Sequence, residues 1–152
     1  MDKATLSHEV AGSVLLLEEE LRSFAVNAEA RIYRKAIHSL YFAAFNATCA
    51  LLWSKGIRAE SHDGAQSMLS LHFVKPGALP RDTLAKMNDL MARRHAADYK
   101  GAVTISAEDV AGSKPWVLGF VAAALALVRK GGLKIDLSGA EKALDRAGRV
   151  HL

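Results

Sequence analysis

Ala36-Ile37-His38-Ser39-Leu40-Tyr41-Phe42-Ala43-Ala44-Phe45-Asn46-Ala47 decides the fold of this chain. Its apolar positions Ile37, Tyr41 and Phe45 continue through Thr48 and Leu52, advancing by three or four residues each time. That is the period of one helical face and not the alternation of a strand. The pattern predicts a long helix from about Ala28 to Ser54. Lys55-Gly56 ends it, with glycine in the position that favours a left-handed stop.

Working outward, a first helix is expected from about Thr5 to Phe24, with Val10, Val14, Leu17 and Leu21 inward and Glu18, Glu19 and Glu20 toward water. On the other side, Ser61 is a good N-cap for a short third helix carrying Met68, Leu69, Leu71 and Phe73, which Lys75-Pro76-Gly77 breaks. Pro80 opens a fourth helix, about Arg81 to Ala97, with Leu84, Met87, Leu90 and Met91 inward. Gly101 to Ile105 reads as a loop. Ser106-Ala107-Glu108-Asp109 resembles a capping box and starts a fifth helix ending at Lys130-Gly131-Gly132. Pro115 falls inside it, so either a kink or a later start near Ser113 is expected. In the tail, Ser138 to Arg146 can form one short helix, because Ala140, Ala143, Leu144 and Ala147 share a side. The expectation is an all-α fold: an antiparallel up-and-down bundle of about five helices over residues 1–132, and a tail over 133–152 with a short extra helix.

Composition agrees with a packed domain. The 152 residues are 51% hydrophobic and 24% charged, with only three prolines. The net charge is +4, a mild basicity compatible with a nucleic-acid partner. Cys49 is the only cysteine and lies in an apolar helical run, so it reads as a buried, inert thiol, with no disulfide and no cysteine zinc site. The start of the chain has no signal-peptide pattern. The uncharged run Pro115 to Val128 is 14 residues, short for a bilayer span. A cytoplasmic protein that is not membrane-bound is the expectation. The six histidines have no ligand-like spacing, and no phosphate loop or nucleophile elbow is present, so no metal and no cofactor are expected.

The chemistry concentrates in Met91-Ala92-Arg93-Arg94-His95-Ala96-Ala97-Asp98-Tyr99. Arg94 and Asp98 are four apart and share a helix face. They read either as a phosphate anchor with a general base or as an i, i+4 ion pair closing the helix. His95 is a candidate proton carrier, although it lies about 100° around the helix from Arg94. Arg93 is a candidate phosphate contact. Arg31, Arg34, Lys35 and His38 form a basic stripe that would line a nucleic-acid or nucleotide groove, or simply a solvated face. Tyr99 either caps the bundle end or stacks on a base. Tyr41, Phe42, Phe45, Trp53 and Trp116 read as core or interface.

Four elements together resemble the HEPN family, a nucleotide-binding helical domain, over about Leu6 to Leu127. They are the run Ala36 to Ala47; Trp53-Ser54-Lys55-Gly56-Ile57 followed by Ser61-His62-Asp63-Gly64; His72-Phe73-Val74-Lys75-Pro76-Gly77; and Arg94-His95-Ala96-Ala97-Asp98-Tyr99, which is similar to an R-x3-DY ending. The resemblance implies a homodimer in which polar helix ends meet at a shared cleft. It implies membership of a toxin–antitoxin pair, with a minimal nucleotidyltransferase as partner and RNA or nucleotide phosphates as ligand. It also implies Tyr99 as the acceptor of an AMP group. Many family members are ribonucleases that use an arginine followed, after four to six residues, by a histidine. Here no histidine follows Arg93 or Arg94 at that spacing. Asp98 occupies the place in Arg93-x4-Asp98, and Asn46 stands where relatives often carry a histidine. Metal-independent RNA cleavage needs a group that moves protons near neutral pH, which imidazole does and an ordinary carboxylate does not. The leading expectation is therefore phosphate binding. An active ribonuclease using His95 or His38 is the alternative, and a non-enzymatic protein-interaction module the other.

Overall fold

The computed structural model describes all 152 residues as six α-helices with no strand. They are α1 (Lys3–Glu29), α2 (Tyr33–Ser54), α3 (His62–Leu69), α4 (Thr83–Tyr99), α5 (Ala107–Lys130) and α6 (Ser138–Gly148). α2 is the centre of the bundle and packs on α1, α3, α4 and α5, while α6 lies on α1 and touches α5. Its face is apolar along the whole length: Ile37, Leu40, Tyr41, Ala44, Leu51 and Leu52 are all buried. Burying one such large side chain is worth about 1.5–3 kcal/mol, so this helix dominates the core.

The first reversal differs from the expectation. α1 continues to Glu29, and α2 starts at Tyr33 and not at Ala28. Nothing between Phe24 and Glu29 breaks a helix, and Asn27 fits by donating from Nδ2 to the Ser23 carbonyl at 2.9 Å. The turn itself is a Schellman motif. Ile32 N–H donates to the Asn27 carbonyl at 2.8 Å and Arg31 N–H to that of Ala28 at 3.0 Å. The left-handed position is held by Arg31, at φ 61°, and not by glycine. After α2 the same motif recurs with Gly56 at φ 74°, Ile57 donating to Leu52 and Gly56 to Trp53.

Ser61 caps α3 by accepting from Gly64 N–H at 2.9 Å. The helix then widens into a π turn over Ser70–Val74, which buries Phe73 and leaves Leu71 outside. Ser106 and Asp109 form a full reciprocal capping box at the start of α5. α5 runs without a later start through Pro115 to Lys130. By length and composition alone, α2 and α5 are each apolar enough to cross a membrane; the apolar stretch of α2, however, is mostly buried inside the bundle, and that of α5 less so. The outward face of α5 carries the small residues Gly112, Gly119, Ala122 and Ala126.

Beyond Gly132 the chain joins the same core: Leu137, Ala140, Ala143, Ala147 and Val150 are buried within it. α6 approaches α1 closely at Gly139, where an added Cβ would sit 2.7 Å from the Glu18 carboxylate oxygens.

Candidate phosphate site between α2 and α4

The last two turns of α4 lie against the first two turns of α2, and the polar residues of both meet there. His38 Nδ1 is 2.8 Å from Asp98 Oδ2. A carboxylate only accepts, so His38 donates its Nδ1–H, and in the neutral ring the lone pair then lies on Nε2. Arg94 Nη1 is 3.6 Å from the same carboxylate oxygen. The Asp98 and Arg94 side chains are 12% and 14% exposed, whereas His38 is 36% exposed. The imidazole thus offers its outer nitrogen to solvent, while the charged pair behind it is mostly enclosed.

Two aromatics of α2 hold the arginine. The Arg94 guanidinium carbon lies 4.9 Å from the Tyr41 ring centre and 5.4 Å from that of Phe42. Arg94 Nε is buried without a hydrogen-bond partner. Tyr41 Oη in turn meets His62 Nδ1 at 2.5 Å, and the His62 ring stacks on Phe45 at 4.3 Å. Burial pushes the Tyr41 phenol up, against an opposing pull from Arg94. Burial and the Arg94 charge push His62 down from its ordinary value. On the α1 side, Glu20 is raised, mainly by burial and against the opposing influence of Ser39 and His38, and its Oε2 is buried without a partner.

Of the residues singled out from sequence, Arg94, Asp98 and His38 come together, two from α4 and one from α2. The others do not join them. His95 projects from the outer face of α4, exposed, 5.0 Å ring to ring from Tyr99, because one residue turns the helix by about 100°. Tyr99 is itself 68% exposed. Arg93 pairs with Asp109 at 3.7 Å, toward α5. The expected basic stripe is broken. Arg31 belongs to the α1–α2 turn, near the C-terminal Arg149 to Leu152, and is not on the helix. Lys35 is exposed on α2.

Arg34 faces the bundle, and its guanidinium is already occupied. It donates to the carbonyls of Ala97 at 3.0 Å, Lys100 at 3.2 Å, Gly101 at 3.1 Å and Ala96 at 3.4 Å, and also to that of Val103. The Ala96 and Lys100 carbonyls also accept from the Lys100 and Val103 N–H groups, at 3.0 Å each, whereas a helix end leaves a carbonyl such as that of Ala97 without an intrahelical partner. Arg34 bonds all of them and so ties down the turn that carries Asp98.

Two participants escaped the sequence reading. Tyr41 was assigned to the core, which its burial supports, but its ring and hydroxyl also build the site. His62 was read only as the residue after a cap. Its place directly after Ser61, at the first position of a helix facing the aromatic run of α2, is the signal that could have found it.

The HEPN domain model matches residues 18–151. A protein of Methanocaldococcus jannaschii named "Putative toxin" is 31% identical over 72 residues, which is 47% of this chain and 54% of that protein. A second protein of that organism with the same description is 29% identical over 77 residues, 51% and 52% of the two chains. A "UPF0332 protein" of Thermotoga maritima is 29% identical over 82 residues, 54% and 60% of the two chains. The chain thus spans between about half and three-fifths of the length of these relatives. The family match covers most of this all-helical chain, including α6: this protein belongs to the HEPN domain family.

Proposed function

We propose that this HEPN protein is the toxin member of a toxin–antitoxin pair, and that it binds RNA phosphate at the α2–α4 site and cleaves the chain there without a metal. The observation that carries this reading is the His38–Asp98 contact at 2.8 Å beside Arg94. The motif histidine that α4 lacks has a counterpart on α2. Asp98 is then not the proton carrier but the group that orients one. Arg94 meets the phosphate charge, which grows as the 2′-oxygen adds to phosphorus. His38 Nε2 takes the 2′-hydroxyl proton as the P–O2′ bond forms. The P–O5′ bond breaks and the 5′-oxygen leaves with a proton from solvent. The products are a 2′,3′-cyclic phosphate and a 5′-hydroxyl.

Incubation of purified protein with total tRNA and mRNA, without added metal, tests this. Cleavage by the wild type that disappears in Arg94→Ala and His38→Ala supports it. Full activity in both variants sinks it, and so does a folded wild type that neither binds nor cuts.

The wider setting is part of the same proposal. The names of two relatives support the toxin assignment. A homodimer would bring two α2–α4 sites to one cleft, and light scattering on the purified chain measures that. A minimal nucleotidyltransferase is the proposed antitoxin, with the exposed Tyr99 phenol as acceptor: its oxygen attacks the α-phosphorus of ATP and pyrophosphate leaves. Co-expression should add an AMP mass to the wild type. The same mass on Tyr99→Phe would rule that acceptor out.

A further inference from the structure

The two histidines of the site are held in opposite ways. Asp98 can only accept, so His38 turns its lone pair outward at Nε2. Tyr41 does the reverse to His62. The Tyr41 hydroxyl is buried, and the charged group beside it is Arg94, which carries donors only. Its proton must therefore go to an acceptor, and His62 Nδ1 lies 2.5 Å away. A neutral imidazole that accepts at Nδ1 carries its hydrogen on Nε2.

Both rings and the arginine surround one half-buried side chain. The Phe42 ring centre is 4.7 Å from that of His38, 6.1 Å from that of His62 and 5.4 Å from the Arg94 guanidinium carbon. We propose that His62 is a further phosphate-binding residue of this site, a neutral donor whose Nε2–H bonds a non-bridging oxygen of the RNA phosphate held by Arg94. The inference rests on the phosphate reading given above and deepens it. Acceptor and donor then stand against the same aromatic.

The charges around His62 agree with a neutral ring. Burial against α2 and, after it, the Arg94 charge from α4 disfavour its cation, and the exposed Asp63 beside it on α3 opposes them more weakly. A neutral donor binds an anion without a proton that must be shed later.

Two measurements on the full chain test this. Long-range 15N–1H correlation spectra at pH 7, with the His62 signals assigned by their loss in His62→Gln, read the tautomer directly. Hydrogen on Nε2 is expected, and hydrogen on Nδ1 overturns the inference. Fluorescence anisotropy with a short labelled 2′-O-methyl RNA, which has no nucleophilic hydroxyl, reads binding apart from cleavage. His62→Ala is expected to weaken binding about tenfold or more. His62→Gln, whose amide N–H falls near the place of Nε2, is expected to stay within about threefold, which also separates donor loss from misfolding. If Arg94→Ala loses binding while His62→Ala stays within about twofold of wild type, this inference fails and the phosphate reading stands. If the folded wild type does not bind the RNA, the phosphate reading fails and takes the ligand assigned to His62 with it.

Discussion

Replacing Asp98 with asparagine changes one oxygen and reaches two partners. The carboxylate accepts from His38 at 2.8 Å and faces Arg94 at 3.6 Å, with both charged side chains mostly enclosed. Charge-assisted hydrogen bonds are about twice as strong as neutral ones, so the His38 contact loses about 1 kcal/mol. At the Arg94 distance, a gross attraction of about 4 kcal/mol in a medium of intermediate dielectric shrinks, after screening and desolvation, to about 1 kcal/mol. Asp98→Asn should therefore cost about 2 kcal/mol, which lowers Tm by about 4–8 °C in a chain of this size. The functional loss should be larger. Asparagine can present its NH2 group to His38 Nδ1 and move the imidazole hydrogen to Nε2, removing the free lone pair. RNA cleavage should fall by about a hundredfold or more. Thermal denaturation followed by circular dichroism, and a cleavage assay on the same preparations, measure both. A double-mutant cycle with His38→Ala should return a coupling above about 0.5 kcal/mol. Tm within about 1 °C of wild type, cleavage unchanged and no coupling would refute the view that Asp98 orients His38.

Three other outcomes follow from the geometry. Arg34→Met removes the guanidinium donors from the carbonyls at and just after the end of α4 and should cost about 2–4 kcal/mol, with faster amide hydrogen exchange confined first to the last turn of α4; uniform exchange across all helices would contradict it. The raised Glu20 carboxyl contributes most to stability at low pH, where it is protonated, and that contribution is lost as pH rises through its folded-state value. Glu20→Gln should thus raise Tm by about 1–3 °C at pH 7 and lose that advantage below about pH 4; a destabilised variant at pH 7 would reverse the sign. Burial pushes the Cys49 thiol up to about 11, so alkylation at pH 8 should run at least about a hundredfold slower in the native protein than in concentrated guanidinium. Comparable rates would mean the α2 helix opens far more readily than its packing implies.

The helices were legible because their signals are local. The three-to-four spacing of Ile37, Tyr41 and Phe45 fixed the central helix, and the Ser61 and Ser106 caps fixed two helix starts. The α1–α2 turn was misplaced because its left-handed residue is an arginine, and nothing in Ala30-Arg31-Ile32 resembles the usual glycine stop. The site was legible only on α4. Arg94 and Asp98 share a face by spacing alone, but the pairing of Asp98 with His38 spans 60 residues and depends on how α2 and α4 pack. Periodicity also marked Arg34 as part of a basic stripe, since spacing reports which side of a helix a residue takes and not what that side meets. Tyr41 was hidden for a related reason: a ring that fills the core and a hydroxyl that orders a histidine leave the same letter in the sequence.

Arg34 gives the last turn of α4 a second attachment. A single side chain from α2 gathers the ends of five peptide units, and Asp98 lies within the segment it gathers. The His38–Asp98 contact is therefore only as persistent as that clasp. Each time the end of α4 frays, Asp98 leaves His38, the imidazole regains both tautomers, and Arg94 loses its counter-charge in the same event. Under the proposed function, the working fraction of the site would equal the fraction of time this turn stays closed, so local opening of about five residues, without any change in the rest of the bundle, would be enough to switch the proposed cleavage off.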